Sequence, residues 1–305
     1  MRTVFFGTPA WAVPSLKALL DLPAEVAAVV TNPDKPAGRG MELRPPPVKE
    51  VALAAGLEVL QPARARDPEL EERLRALSPD VAVVVAYGSI LPGRLLEVPR
   101  LGFVNLHFSL LPLYRGAAPV QRALMDGVSV TGVSVMVLTE GMDEGPVLAL
   151  EEVEVRPDDT AGTLGERMAE LGGPLLVETV ERYAAGDIRP QEQDHDRATY
   201  APKITQEDAR IDWSRPAEEI VDHVRGLNPA PGAWTEWRGR RLKVWAARPA
   251  GESLFPGRLT GEVTLLAGTG TVALELTDVQ LPGKRRMPGA ELARGLRLGE
   301  DETLS

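Results

Sequence analysis

Residues 81–86, Val-Ala-Val-Val-Val-Ala, form a short apolar run rich in β-branched residues, a pattern that predicts a β-strand. Similar runs precede and follow it, and segments with helical periodicity lie between them. This alternation predicts an α/β fold with a mainly parallel, doubly wound sheet. The other strands of this part are predicted at residues 3–6, 26–30 and 102–107, and the helices at residues 14–20, 48–55, 67–77 and 119–125.

Two later strands, at residues 132–138 and 147–155, and a long helix over residues 160–185 complete a predicted N-terminal domain of residues 1–189. The periodicity then stops. Proline and polar residues predict an extended linker at residues 190–208.

Residues 209–305 are predicted to be a second domain that consists mostly of short strands. Gly-containing turns separate these strands, a pattern that predicts a small β-barrel. The predicted elements are a helix at residues 216–225 and strands at residues 233–238, 242–247, 257–266 and 271–277.

The composition is that of a globular protein, since 44% of the 305 residues are hydrophobic and 26% are charged. The longest apolar runs are far shorter than the roughly 18 residues of a membrane-spanning helix, and no charged leader with an apolar stretch precedes the first strand. The chain has no cysteine, which excludes disulfides, thiolate nucleophiles and cysteine-bound metals. We therefore expect a cytoplasmic protein without membrane attachment.

The net charge of −10 is unevenly distributed along the chain. Residues 209–305 hold 14 Lys and Arg against 13 Asp and Glu, whereas residues 1–208 hold 20 against 31. The acidic excess therefore belongs to the first two-thirds. A basic face that binds nucleic acid remains compatible with the C-terminal third.

The segment Val104-Asn-Leu-His-Phe-Ser-Leu-Leu-Pro112 carries two polar side chains at the end of a predicted strand. Asn105 and His107 are two residues apart, so both face the crevice in which open α/β sheets bind ligands. An amide beside an imidazole suits the stabilisation of an oxyanion that forms when an amine attacks a carbonyl carbon. The alternative is a hydrogen-bonded core histidine beside a strand-end asparagine.

Such chemistry needs a third group, because the attacking amine loses a proton and the imidazole needs an orienting carboxylate. Asp143 is the best candidate, in a Gly-flanked turn between two predicted strands; the alternative is an ordinary exposed turn aspartate. No metal site is predicted, because no second metal-binding side chain accompanies His107. No dinucleotide site is predicted either, because Gly7-Thr-Pro9 lacks the pattern G-x-G-x-x-G.

Several motifs of this chain resemble those of the 10-formyltetrahydrofolate-dependent formyltransferases. The motifs are Asn105-Leu-His107, Ser109-Leu-Leu-Pro112, Arg115-Gly-Ala-Ala-Pro119, Asp143, Phe6-Gly-Thr-Pro9, the loop at residues 32–40, Tyr200-Ala-Pro-Lys203, Ile211-Asp-Trp213 and Asn228-Pro-Ala-Pro-Gly-Ala-Trp234. They span both predicted domains and the linker. The resemblance implies a Rossmann-like formyltransferase domain followed by an OB-like β-barrel.

The resemblance also implies roles for individual residues. Catalysis falls to Asn105, His107 and Asp143, without a metal. The formyl donor 10-formyltetrahydrofolate is implied as co-substrate, in a pocket lined by Ser109, Leu110, Leu111, Pro112, Tyr87 and Leu91.

Some positions depart from the family pattern. Phe108, Leu113 and Tyr114 stand where a smaller residue, a basic residue and Trp are expected. Ala10-Trp11 replaces an acidic-aromatic pair, and Ser89 stands in place of Gln. None of these departures removes a catalytic group.

Within this family the whole chain is similar to the members that act on methionyl-tRNA. The implied reaction is transfer of the formyl group to the α-amine of methionine on initiator tRNA, by a monomer. The residues predicted to bind tRNA are Arg39, with Lys35 and Arg44 in the same long loop, and Lys203, Lys243, Lys284, Arg285 and Arg286. A solvated surface loop and an ordinary charged face are the alternatives.

Other functions remain open at this point. A glycinamide ribonucleotide formyltransferase would not need the barrel, and a nucleotide-sugar formyltransferase would lack the Arg39 loop. A non-catalytic RNA-binding protein would have no affinity for folate. A nicotinamide oxidoreductase is less favoured, because the dinucleotide motif is absent.

Overall fold

The computed structural model describes residues 1–22, 25–37, 42–295, 299 and 302–305. The described chain divides into two compact units. The first contains residues 1–119, 130–154 and 165–201, and the second contains residues 120–129, 155–164 and 202–305. Residues 190–201 of the predicted linker thus belong to the first unit.

The apolar runs of the first unit form the strands of one sheet. In chain order its strands are β1 (Arg2–Gly7), β2 (Glu25–Val30), β5 (Val59–Leu60), β6 (Val81–Val85), β7 (Phe103–His107), β8 (Val130–Val137) and β9 (Val147–Glu154), and between them lies a separate hairpin of β3 (Lys35–Ala37) and β4 (Glu42–Arg44).

The sheet has the order β5-β2-β1-β6-β7-β8-β9. The pairs β5-β2, β2-β1, β1-β6 and β6-β7 are parallel, whereas β7-β8 and β8-β9 are antiparallel. The predicted mainly parallel α/β sheet is therefore confirmed.

The helices are α1 (Val13–Leu20), α2 (Pro47–Ala54), α3 (Pro68–Leu77), α4 (Gly93–Leu96), α5 (Pro119–Met125), α6 (Ala161–Ala185), α7 (Ala217–Gly226) and α8 (Gly289–Gly295), and short 3-10 turns lie at Ala10–Ala12 and His195–Arg197. Local chemistry explains where α3 begins and ends. Asp67 accepts a hydrogen bond from the Glu69 N–H, Pro68 occupies the first turn, and Ser78 ends the helix at φ +48°.

Both faces of the sheet are covered, which explains why its central strand β6 is apolar throughout. Leu70, Leu74 and Leu77 of α3 pack in one cluster with Phe103 of β7. On the other face α6 approaches closely at Gly172, where an added Cβ would lie 2.7 Å from the Leu106 side chain. Asn105 and His107 alternate with Leu106, so they lie on the Phe103 face.

The second unit contains an antiparallel sheet of β10 (Ala233–Trp237), β11 (Arg240–Pro249), β14 (Leu274–Gln280), β13 (Leu266–Ala267) and β12 (Leu259–Thr260), in that order, with β15 (Met287–Pro288) paired to β14. Its two ends are bridged by the C-terminal residues, since Leu304 pairs with Trp237 and Thr303 pairs with Arg258. The sheet therefore closes on itself, as the predicted barrel requires.

Three local predictions were wrong or incomplete. The strand predicted at residues 257–266 is interrupted at Gly261, where φ is +156° and an added Cβ would lie 2.2 Å from the Thr264 carbonyl, as fits a turn between β12 and β13. The strand predicted at residues 271–277 is β14, which begins later, at Leu274. The β3-β4 hairpin was missed because its strands have three residues each and contain Pro36.

Among the described residues, none of the helices combines the length and the apolar character that crossing a bilayer requires.

Candidate active site

Asn105 and His107 lie at the carboxyl end of β7, in the middle of the sheet. Asn105 pairs with Val84 of β6 on one side and Met136 of β8 on the other, and its exposed fraction is only 8%. Its side-chain amide has no hydrogen-bond partner within the described part of the chain, yet it is not among the polar atoms that are sealed from solvent. A buried residue with an open amide can donate a hydrogen bond to a ligand.

The imidazole of His107 faces acceptors with both of its nitrogens. Nε2 lies 2.9 Å from the carbonyl oxygen of Tyr114, so this nitrogen carries a proton and donates it. Nδ1 lies 3.6 Å from Oδ2 of Asp143, beyond ordinary hydrogen-bond distance. Nδ1 is therefore the ring nitrogen that remains available for chemistry.

Asp143 reaches this histidine from the turn between β8 and β9. It has φ +47°, a left-handed conformation that aspartate tolerates better than most residues. Its Oδ2 accepts a hydrogen bond of 2.8 Å from the Gly116 N–H. Oδ1 has no hydrogen-bond partner in the described ranges, and the side chain is 18% exposed, so the carboxylate is accessible.

The segment Tyr114–Gly116 contacts both ionisable groups through its backbone. It is itself held by residues 199–201, because the Arg115 N–H donates to the Thr199 carbonyl at 2.9 Å and the Ala201 N–H donates to the Arg115 carbonyl at 2.7 Å. The Tyr114 N–H also donates to Thr199 Oγ1 at 2.8 Å. The motif Arg115-Gly-Ala-Ala-Pro119 marked this segment in the sequence, but not its partner at Thr199.

Residues 109–112, predicted to line the folate pocket, form a loop that follows β7. Ser134 of β8 stabilises this loop, since its hydroxyl donates to the Ser109 carbonyl at 2.5 Å and accepts from the Leu111 N–H at 3.0 Å. The Ser109 hydroxyl donates to the Leu113 carbonyl at 2.6 Å. Leu111 is buried and Pro112 half-buried. Ser134 was missed, because one serine in a strand carries no sequence signal of its own.

Tyr87 and Leu91 are placed differently from Ser109. Both side chains belong to the hydrophobic cluster around Phe6, and the Tyr87 ring meets the Phe6 ring edge-on at 5.3 Å. Asn32, just after β2, connects the ends of three strands. Its side-chain amide donates to the carbonyl of Tyr87, which follows β6, at 2.9 Å and to Oγ1 of Thr8, which follows β1, at 3.1 Å. The structure thus brings His107 and Asp143 together, whereas the side chains of Tyr87 and Leu91 pack in the core.

Two of the family departures contact each other. The rings of Trp11 and Phe108 are 5.7 Å apart, and an added Cβ at Gly165 of α6 would lie 2.1 Å from the Trp11 ring. The larger residue at position 108 therefore packs against the ring that replaces the expected pair at positions 10 and 11.

The predicted RNA-binding residues fall into two groups. Arg39 lies outside the described residues. Lys35 and Arg44 are exposed and directly opposite each other in the β3-β4 hairpin, and neither forms an ion pair in the described part of the chain. Lys203 and Lys284 are exposed as well.

The other three predicted RNA-binding residues, Lys243, Arg285 and Arg286, already have partners. Arg285 pairs with Glu291 at 3.1 Å and Arg286 with Asp278 at 2.5 Å. The Lys243 ammonium donates to the Pro231 carbonyl at 2.6 Å, and burial, reinforced by the positive charge of Arg241, lowers the pKa of Lys243.

Tryptophan rings accompany several of these cations. Arg241 lies 4.1 Å from the centre of the Trp234 ring, and Lys243 and Arg286 lie 5.1 and 5.4 Å from that of Trp245. This combination of cations and aromatic rings is typical of surfaces that bind single-stranded nucleic acid. In the described ranges, no cluster of His, Asp and Glu has the arrangement of a metal site.

Comparisons with known proteins agree over both units. The formyl transferase family model matches residues 1–180, and that of the formyl transferase C-terminal domain matches residues 203–297. A methionyl-tRNA formyltransferase of Streptomyces coelicolor is 51% identical over 306 residues, covering 99% of each chain. One of Frankia casuarinae is 48% identical over 324 residues, covering 100% of this chain and 96% of the relative.

The solved structure of the methionyl-tRNA formyltransferase from Clostridium thermocellum is similar in fold. Its TM-score is 0.59 at 18% sequence identity, and the match covers 88% of this chain and 100% of that one. At this identity the likeness concerns the fold alone.

Burial gives Tyr87 a property that can be measured. It raises the pKa of the Tyr87 phenol from 10.0 to about 12. We expect the difference between the alkaline absorbance titrations of wild type and Tyr87→Phe to show a phenol that ionises near pH 12. Because the folded state holds this proton more tightly, the free energy of unfolding should fall from pH 10 to 12 more in wild type than in Tyr87→Phe. Tyr200→Phe, at an exposed position, is the control. A difference titration centred near pH 10 would contradict the assignment.

Proposed function

Because the chain belongs to the formyl transferase family, we propose that it transfers the formyl group of 10-formyltetrahydrofolate to the α-amine of methionine on initiator tRNA. The family models match both units, and the relatives that are about half identical over their full length are methionyl-tRNA formyltransferases. The product, formylmethionyl-tRNA, serves the initiation of translation.

The observation that carries the mechanism is the open amide of Asn105 two residues before the His107–Asp143 pair. The neutral amine of methionine attacks the formyl carbon, and the carbonyl oxygen becomes an oxyanion. The Asn105 amide donates a hydrogen bond to that oxygen, and His107, in its doubly protonated form, contributes positive charge and an Nδ1–H donor.

Asp143 has two parts in this mechanism. Its Oδ2 faces Nδ1 of His107 at 3.6 Å and balances the charge of the protonated ring. Its open Oδ1 accepts, directly or through water, the proton that the amine loses on attack. When the tetrahedral intermediate collapses, the carbon–N10 bond breaks and the folate nitrogen leaves with the proton that Asp143 accepted, which restores the carboxylate. The new carbon–nitrogen bond to methionine is then complete.

We also propose that the loop at residues 109–112 lines the folate pocket. Three hydrogen bonds hold the loop backbone: the Ser109 hydroxyl donates to the Leu113 carbonyl, the Leu111 N–H donates to the Ser134 hydroxyl, and this hydroxyl donates to the Ser109 carbonyl. A rigid loop presents its backbone groups to a ligand without an additional entropic cost. Tyr87 and Leu91 would support this pocket through the core and the backbone of residues 86–89.

For tRNA, the β3-β4 hairpin is the better-supported contact among the described residues. Like charges directly opposite in a hairpin destabilise it, and Lys35 and Arg44 have no acidic partner there to offset this. A phosphate between them would do so. On the barrel, Lys243, Lys284, Arg285 and Arg286 would bind the RNA backbone, and Lys203 in the preceding linker would extend this basic surface. Arg285 and Arg286 would have to give up their existing ion pairs. We further propose that the enzyme acts as a monomer in the cytoplasm, where charged initiator tRNA is used.

The identity of the acceptor is tested by parallel labelling assays. Formyl-labelled 10-formyltetrahydrofolate is supplied with methionyl-initiator tRNA, glycinamide ribonucleotide and an aminosugar nucleotide in parallel. We expect label only in the methionyl-tRNA. Label in either of the other amines would replace the proposed acceptor, and no labelling would favour a non-catalytic RNA-binding protein.

Replacing Asn105 by Ala should lower kcat about a hundredfold to a thousandfold, the usual cost of losing one oxyanion donor. Folate affinity should stay largely unchanged, because the loop at residues 109–112 is intact. Steady-state kinetics, equilibrium folate binding and a melting curve as folding control test this. Near-normal turnover would remove Asn105 from the mechanism.

Replacing Lys35 and Arg44 together by Ala should weaken methionyl-tRNA binding. The salt slope of the binding constant should decrease by about 2, roughly one per lost phosphate contact. Folate affinity should not change. The matched control is Arg73→Ala with Arg75→Ala, which removes two cations that Glu58 and Glu71 already neutralise in α3. Equal effects of the two double variants would refute a specific hairpin contact.

A further inference from the structure

Gln193 lies in the segment that follows α6 and is 7% exposed. Its Oε1 accepts hydrogen bonds from Arg115 Nε at 3.0 Å and Nη2 at 2.7 Å. Its Nε2 donates to the carbonyl oxygens of Asp143 at 2.9 Å and Gly145 at 2.6 Å. A guanidinium only donates, so the amide oxygen must face Arg115 and the NH₂ must face the two carbonyls. Every hydrogen-bonding position of this carboxamide is used.

Both acceptor carbonyls belong to the turn that presents the Asp143 carboxylate. Asp143 holds φ +47°, a conformation that persists where surrounding contacts impose it. Gln193 binds this residue's own carbonyl and that of Gly145, and therefore fixes the peptide planes that follow Asp143 and Gly145. If the turn rotates, Oδ2 moves away from His107 Nδ1 and from the Gly116 N–H.

Arg115 completes a closed ring of contacts. Its side chain is 2% exposed and bonds to Gln193, and both Nη atoms lie 3.3 Å from His195 Nδ1; no carboxylate pairs with it in the described ranges. The neighbouring Gly116 N–H binds the Asp143 carboxylate. Asp143 is thus held from two directions. Gln193 binds the backbone of its turn, and the Gly116 N–H, next to Arg115 in the chain, binds its carboxylate.

We propose that Gln193 and Arg115 are positioning residues that hold the Asp143 carboxylate at the His107 imidazole. This inference rests on the proposed function, since it deepens the part of Asp143 in formyl transfer. Neither side chain contacts the reacting atoms. Both act on the geometry of Asp143, whose displacement by about 1 Å can cost on the order of a hundredfold in rate.

A pair of Gln→Glu substitutions separates positioning from packing. Gln193→Glu keeps the size of the side chain and its contact with Arg115, but replaces two donations to the turn by repulsion between oxygens. Gln191→Glu makes the same chemical change two residues earlier. The Gln191 side chain is exposed, and the backbone of this residue pairs with that of Val147. The second variant therefore controls for the added charge in the same segment.

We expect Gln193→Glu to lower kcat about tenfold to a hundredfold, with the KM values for methionyl-tRNA and the folate donor changed by less than about twofold. Gln191→Glu should stay within about twofold of wild type in all three constants. In an Asp143→Asn background, measured in single turnover, Gln193→Glu should lower the rate by less than about twofold further, because a residue that acts only through Asp143 has no effect once that carboxylate is gone.

Three kinetic results would overturn the proposal: equal kcat values for Gln193→Glu and Gln191→Glu, the same rate loss with and without the Asp143 carboxylate, or a rise in KM at unchanged kcat. Arg115→Lys is the second variant, and the same kcat-selective loss is expected there. Melting curves in which both variants fail to fold would assign the network to stability and overturn the positioning role. Absence of methionyl-tRNA formylation by wild type would instead refute the proposed function itself, before any variant is compared.

Discussion

The site depends on one short backbone segment, in which the Tyr114 carbonyl and the Gly116 N–H belong to neighbouring peptide groups joined at Arg115. The Tyr114 carbonyl binds the imidazole of His107, and the Gly116 N–H binds the carboxylate of Asp143. Peptide groups do not titrate, so this template presents the same donor and acceptor at any pH. Tyr114 itself has φ +57°, a conformation that costs about 1–3 kcal/mol. The hydrogen bond from its N–H to Thr199 helps to offset this cost.

Most buried polar groups around this template are satisfied, and that is why the exceptions are informative. Gln193 uses every donor and acceptor position, and Ser134 both donates and accepts at the loop after β7. The amide of Asn105 and Oδ1 of Asp143 have no partner within the described part of the chain. An unpaired polar group in a poorly exposed position costs free energy unless it reaches water or a ligand. These two groups are therefore the ones to which a substrate would form hydrogen bonds.

A protein with a net charge of −10 must bind a polyanion through local charge. Cations with acidic partners, such as Arg285 and Arg286, contribute little local potential, and they must break an ion pair to bind phosphate. Cations without such partners, such as Lys35 and Arg44, contribute their full charge. Ion pairing therefore separates basic residues that are equivalent in a sequence count, and it makes the hairpin the stronger candidate for RNA contact.

The sequence alone determined the mainly parallel sheet and the barrel and predicted that Asn105 and His107 share one face of a strand, because alternation and spacing along a strand are local properties. Asp143, in a separate turn, became a candidate through the carboxylate that such a pair needs and through the family resemblance. It did not reveal the β3-β4 hairpin, whose three-residue strands carry too little pattern, or the break at Gly261. Only the tertiary structure decided that Gln193, Ser134 and Thr199 hold the site. Their partners lie tens of residues away. Every residue has a backbone carbonyl, so the type of the accepting residue does not indicate that such a hydrogen bond forms.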